Sequence, residues 1–152
     1  QLAATGRRDV LLGQAFGPDP ALVTAAADRL AEAGACPDDA VVLAVAGSSD
    51  PYAQTDGAKA ARRLGRALGR PVTLATIATG GPRVSEAVAA LRAGGAQRVA
   101  VASWLLAPGL FQGHLHECDA DVVAAPLADH RAVLDLVVNR YRAASATNTR
   151  TA

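Results

Sequence analysis

The 152 residues carry 15 Lys and Arg against 14 Asp and Glu, a formal charge of +1, and 51% of them are apolar with aromatics at only 3%. That length suits one domain with a sizeable core. No apolar run is long enough to cross a bilayer, and no block of basic residues gathers for nucleic acid or an anionic membrane, so neither partner is expected.

Residues 9–15 form a mostly apolar strand candidate, punctuated by Gly17-Pro18-Asp19-Pro20 before an Ala/Leu-rich helix over 21–33 that Gly34 stops. Residues 41–46 read as the next strand. Asp50 then supplies an N-cap and Pro51 a first-turn proline for a helix ending near Gly69. A Val/Thr/Ile-rich strand follows over 71–78, then the turn Thr79-Gly80-Gly81-Pro82 and a helix over 83–93 closed by Gly94-Gly95. Residues 98–103 are the fourth strand of this pattern. A looser segment over 108–118 precedes a strand over 121–125 and a last helix over about 129–143, and the Ser/Thr/Asn-rich stretch 145–152 reads as a frayed tail.

Continuous apolar strands of five to seven residues alternating with helices of ten or more are the pattern of parallel strands covered on both faces. Right-handed crossovers then give a doubly wound parallel sheet, an α/β fold of the flavodoxin-like three-layer αβα kind. The two ends of the chain also look alike. Val10-Leu11-Leu12 running through Gly17-Pro18-Asp19-Pro20 into a helix parallels Val122-Val123-Ala124 running through Pro126 to His130 into another. Two βα units of this composition can match by chance, residues 1–36 then being an N-terminal extension; alternatively, residues 1–36 are the last unit of a preceding repeat, followed by a whole repeat.

Ligands of an open parallel sheet bind beyond the carboxyl ends of its strands. The loops there are 13–18, 47–50, 79–82 and 103–118. Two of them present backbone N–H groups beside a helix start, which suits carboxylate or phosphate. Neither is a Walker loop and no GxGxxG occurs, and Ser48, Ser49 and Asp50 equally well serve only to cap a helix. His114, His116 and Cys118 form an H-x-H-x-C run that can share a metal if extended. On a helix, His114 and Cys118 share a face and His116 points away, and such residues on a surface loop are more often idle. Trp104, the single tryptophan, reads as a core or hinge anchor at a strand end that also borders the site. His130 reads as a helix cap. No Ser-His-Asp arrangement or GxSxG elbow is present. Cys36 and Cys118 have no CxxC spacing and no leader pattern opens the chain, so a reducing cytoplasm is expected. With no methionine anywhere, Gln1 reads as a cut end.

Three stretches taken together carry a resemblance: Val-Val-Leu-Ala-Val-Ala-Gly-Ser-Ser-Asp-Pro at 41–51, Gly-Pro-Arg-Val-Ser-Glu-Ala-Val-Ala-Ala-Leu at 81–91, and Arg-Val-Ala-Val-Ala-Ser-Trp-Leu-Leu-Ala-Pro-Gly-Leu-Phe at 98–111. In order and spacing, over about 39–144, the chain resembles the sirohydrochlorin chelatase family of CbiX type. The 17–20 turn and the helix after it resemble the linking unit of two-repeat members. The resemblance implies a chelatase-like domain over 39–144, with a four-stranded parallel sheet per repeat. The activity it implies is insertion of Co²⁺ or Fe²⁺, as substrate, into sirohydrochlorin for cobalamin or siroheme, with no intrinsic cofactor.

The family's His-Gly-Ser-Arg-Asp-Pro motif, its glutamate before a proline and its Gly-x-His place their functional positions here on Ala46, Ala78 and Phe111. Metal insertion requires a base for the pyrrole protons and donors for the ion, and these three side chains supply neither. The resemblance therefore implies a C-terminal, catalytically degenerate repeat that forms one wall of a tetrapyrrole cleft. Ser48, Ser49, Arg83, Trp104, Leu110 and Phe111 would meet the macrocycle, and His114 with His116 would be the metal candidates. The expected partner is an N-terminal repeat or a second copy in a homodimer. A non-enzymatic tetrapyrrole or metal carrier, or a dimerising scaffold, is the alternative.

Overall fold

A computed structural model describes residues 13–149. Five helices and four strands alternate along it: α1 (Pro20–Glu32), β1 (Ala40–Gly47), α2 (Pro51–Leu68), β2 (Val72–Thr79), α3 (Val84–Ala93), β3 (Val99–Ser103), α4 (Leu110–His116), β4 (Val122–Val123) and α5 (Arg131–Thr149). The strands form one parallel sheet in the order β2-β1-β3-β4.

Helix starts follow the local chemistry. Asp19 Oδ1 accepts from the Ala21 amide at 3.0 Å and Asp50 Oδ1 accepts from the Tyr52 amide at 2.9 Å, each ahead of a first-turn proline. Helix α2 ends on Gly69 in the left-handed conformation.

The two central strands feed two cores by simple alternation. Val41 and Leu43 of β1 and Ala100 and Ala102 of β3 face a cluster shared with α1, α2 and α5, centred on Leu22, Leu30, Leu64, Leu127 and Val133. Val42, Ala44, Val99 and Val101 point the other way, onto Val84 and Val88 of α3 and Leu115 of α4. Each fully buried Leu or Val contributes about 1.5–3 kcal/mol. The three-layer αβα arrangement expected from the sequence is thus formed, with α1, α2 and α5 on one face and α3 and α4 on the other. Because β1 leads into α2 on the first face and β3 leads into α4 on the second, their carboxyl ends diverge, and a crevice opens between them.

Some elements depart from the sequence reading. Of the strand predicted over 9–15, residues 9–12 lie outside the described residues, and 13–15 have no strand structure. The segment predicted to be loose over 108–118 contains α4, because Leu115 and Cys118 fall one turn apart and both insert into the second core. Strand β4 is only two residues long, against five predicted. Helix α5 continues to Thr149 instead of fraying from Ser145, and residues 150–152 lie outside the described residues.

Candidate functional site

The carboxyl ends of β1 and β2 turn against each other. Gly47 has φ +96° and Gly80 has φ +90°; a Cβ on Gly47 would lie 2.1 Å from the Thr79 carbonyl oxygen, and one on Gly80 would lie 2.2 Å from that of Ser48. Only glycine fits this interlock. It coincides with a register irregularity between Val45 and Gly47, and Gln54 of α2 pins it by donating from Nε2 to the Ser48 carbonyl at 2.9 Å.

Beside the interlock, on the α1 and α2 face, lies a cavity of about 370 Å³. The strand ends contribute Val45, Ala46, Leu74 and Thr76, α2 contributes Gln54 and Gly57, and the β3 end contributes Trp104. Ala15, Gly17 and Pro18, from the segment before α1, complete it. Among the described residues Asp56 is the one charged group in its lining, and it is paired with Lys59 Nζ at 3.1 Å. Most of the lining is apolar, which suits the face of a ring system better than a carboxylate. Trp104 is fixed from behind, its amide donating to the Ala44 carbonyl at 2.9 Å.

A second, shallower groove of about 260 Å³ opens on the α3 and α4 face, lined by Thr76, Ile77, Arg83, Ser85, His114, Glu117 and Cys118 among others. Arg83 is committed there: Nη1 donates to the Ile77 carbonyl and its amide donates to Glu86 Oε2 at 2.8 Å. Burial pushes the Cys118 thiol above the usual cysteine range and keeps it neutral.

The structure does not bring the sequence candidates into one constellation. Ser48 and Trp104 line the main cavity. Ser48 Oγ also accepts from the Asp50 amide at 3.0 Å, the capping role that the sequence left open. Ser49 is exposed and Arg83 belongs to the second groove. Leu110 and Phe111 border a third hollow with Leu105 and Leu106.

The metal candidates need a correction of geometry. His114 and His116 lie on α4, not on an extended loop, so two residues of helix turn them roughly 200° apart. His114 faces Phe111 with ring centroids 6.5 Å apart and lines the second groove, while Cys118 is buried. Among the described residues no three His, Cys, Asp or Glu side chains converge as a metal site.

Sequence reasoning marked the 13–18 loop that supplies Pro18, but missed Gln54 and Gly57 as lining residues, and the buried pair Ser103 and Gln112. Ser103 Oγ donates to Gln112 Oε1 at 2.7 Å and Gln112 Nε2 donates to the Ala124 carbonyl at 3.0 Å. The signal for Gln54 was its place one turn inside a helix that starts at the site loop.

The sequence model of the CbiX family matches residues 40–144. The chain belongs to the CbiX family. Solved structures similar to this CbiX domain include SirB from Bacillus subtilis with Fe³⁺, at TM-score 0.76 and 22% identity over 87% of this chain. The sirohydrochlorin chelatase SirB from Bacillus subtilis subspecies spizizenii, in complex with cobalt, is similar at TM-score 0.69 and 21% identity over 93% of this chain. This likeness bears on the fold, which is that of the chelatase. The chain spans 56% and 58% of those two SirB chains, little more than half their length. No curated protein matches the chain. Among the described residues no helix is long and apolar enough to cross a membrane.

Proposed function

We propose that this CbiX domain serves a sirohydrochlorin chelatase as a wall of the tetrapyrrole cleft, and that its own side chains do not perform metal insertion. The observation that carries this reading is the composition of the sheet's ligand-facing rim. A cavity of about 370 Å³ opens at the carboxyl end of β1, within the range of small-molecule sites, and Ala46 occupies the position where the family's histidine would stand. By the resemblance, Ala78 and Phe111 fall on the other two functional positions, Phe111 from α4 outside the cavity. Methyl groups and a benzyl ring neither accept the pyrrole protons nor hold Co²⁺ or Fe²⁺, whereas an apolar cavity backed by an indole matches a macrocycle face.

The SirB structures, one with Fe³⁺ and one of a sirohydrochlorin chelatase in complex with cobalt, support iron or cobalt together with sirohydrochlorin as the substrates of the protein to which this domain contributes. The cavity takes the face of the ring, and the carboxylate arms extend toward Ser49 and the solvent. His114 and His116, turned apart on α4, would meet the metal in transit one at a time.

The test is a titration of residues 1–152 with sirohydrochlorin under anaerobic conditions, with and without Co²⁺. The expected result is a shift of the visible band on binding and metallation no faster than the spontaneous rate. Turnover that His114→Ala abolishes would overturn the non-catalytic assignment, and the absence of any band shift would remove the binding role.

One observation favours a second reading, a binding module that pairs with another copy. Leu134, Val137, Val138 and Tyr141 are exposed along α5 at i, i+3, i+4 and i+7 spacing. Sedimentation velocity over a range of concentrations tests the pairing: a stable dimer that Val137→Asp disperses is expected, and a monomer at every concentration overturns it.

A further inference from the structure

The cavity has one wall that belongs to no strand or long helix. Ala15, Gly17 and Pro18 line it from a strap, residues 13–19, that precedes α1. The strap makes little backbone structure of its own: the Asp19 amide donates to the Phe16 carbonyl at 3.1 Å in a single turn. What fixes it is side-chain contacts, one of its own and the others from the helices. Phe16 packs against the core cluster of α1, α2 and α5. Arg63 of α2 donates from Nη1 to the Pro18 carbonyl.

Arg140, on the last helix, reaches both ends of the strap at once. Its Nη1 donates to Gln14 Oε1 at 2.8 Å and its Nη2 donates to Asp19 Oδ2 at 2.9 Å. Asp19 meanwhile caps α1 through its other oxygen. A planar guanidinium presents donors in a fixed fork, so one side chain can bridge two acceptors five residues apart; an ammonium could hold only one of them in that geometry. Helix α5 contributes no residue to the cavity lining.

We propose that Arg140 is a positioning residue for the ligand cavity: through Gln14 and Asp19 it holds the 13–19 strap against the site and so sets the shape of the wall that Pro18 adds to the cavity lined by Trp104. The role in tetrapyrrole binding rests on the reading given above; the clamping of the wall does not. The geometry makes α5 a remote determinant of the site, since loss of Arg140 removes both ties at once and leaves the strap held by Phe16, Arg63 and the Asp19 cap of α1.

Trp104 is the chain's one tryptophan and lines this cavity, so its accessibility to acrylamide reads the wall without any ligand. The full chain is compared with Arg140→Ala, with Gln14→Ala, which removes one tie and leaves the Asp19 pair, and with Arg131→Ala. The last loses an exposed arginine of the same helix that pairs only with Asp135. Arg140→Ala and Gln14→Ala are expected to raise Trp104 quenching, in that order, with Arg131→Ala unchanged.

Titration with sirohydrochlorin, followed by the visible band, is expected to give roughly fivefold weaker affinity for Arg140→Ala and about twofold for Gln14→Ala. Equal quenching in Gln14→Ala and Arg131→Ala overturns the clamp, and this comparison stands even if Arg140→Ala does not fold. Raised quenching with unchanged sirohydrochlorin affinity overturns the positioning role. If the wild-type chain does not bind sirohydrochlorin while quenching still separates the variants, the clamp stands and the tetrapyrrole reading falls.

Discussion

The interlock of the β1 and β2 turns can be separated from simple backbone preference by two glycines with the same dihedral angle. Gly47 has φ +96° and Gly95 has φ +97°, but nothing lies within 4 Å of a Cβ built on Gly95, whereas one on Gly47 would meet Thr79 backbone atoms at 2.1, 2.8 and 3.1 Å. Gly95→Ala therefore carries only the cost of a side chain at positive φ, about 1–2 kcal/mol. Gly47→Ala carries that cost and must also move a carbonyl more than an ångström to reach an ordinary contact of roughly 3.5 Å. The movement parts the Gly47 and Thr79 pair that ends the β1 and β2 ladder, losing about one hydrogen bond and the packing around it, for a total near 4 kcal/mol. Against a typical stability of about 5–15 kcal/mol that is a large share. Urea unfolding monitored by Trp104 emission and circular dichroism should place Gly47→Ala about 2–3 kcal/mol below Gly95→Ala, a gap of roughly 4–12 °C in melting temperature for a domain of this size. Equal losses in the two variants would refute the close approach of the two turns.

Three further outcomes follow from groups away from that turn. Gln112→Ala should cost about 2–4 kcal/mol by equilibrium unfolding, because it strands the buried Ser103 hydroxyl and the Ala124 carbonyl together; Gln112→Glu should not restore the loss, since it brings a carboxylate into a buried site. Cys36 is exposed and Cys118 buried with its thiol raised by desolvation, so mass spectrometry after brief iodoacetamide treatment near neutral pH should find one alkylated cysteine, at position 36, and a second only in denaturant. Asp121 accepts from the Val99 amide at 2.7 Å and from Arg92 Nη2 at 3.0 Å, and these partners, the amide foremost, hold its carboxyl below the usual range. Its stabilisation is complete above the ordinary carboxylate pKa of about 3.9 and fades as pH falls through the lower folded value. Asp121→Asn should therefore be less stable than the wild type at pH 7, with the difference narrowing under strongly acid conditions in pH-dependent melts.

The parts of the fold that were legible in the sequence are those dictated by local chemistry. Asp19 with Pro20 and Asp50 with Pro51 set helix starts that the structure reproduces, and the apolar runs of β1, β2 and β3 mark strands covered on both sides. Helix α4 was not legible because its apolar periodicity is short, and Gly109 and Gly113 argue locally against a helix; docking of Leu115 and Cys118 into the second core overrides that preference. Strand β4 shrank because its neighbours Asp121 and Ala124 bond to β3 singly instead of extending a ladder. The site was legible at its centre, Ser48 and Trp104, which flank the divergence of β1 and β3. The 13–18 loop was marked as ligand-facing, but its ties to Arg63 and Arg140 were not legible, because they join residues 45 and more than a hundred positions apart in the chain.

The alternation of β1 and β3 between two apolar layers has a consequence for how this sheet chooses its pairing. In a strand with one wet side, a slip by a single residue is punished by polarity; here every side chain of the central strands would stay out of water whichever way it pointed. Discrimination must then come from volume. Leu43 and the neighbouring alanines of β3 suit the thick helical layer on one side, and Ala44 with the β3 valines suits the thinner one on the other. A frame-shifted pairing would be as dry as the native one and would fail by overfilling one layer and leaving voids in the other.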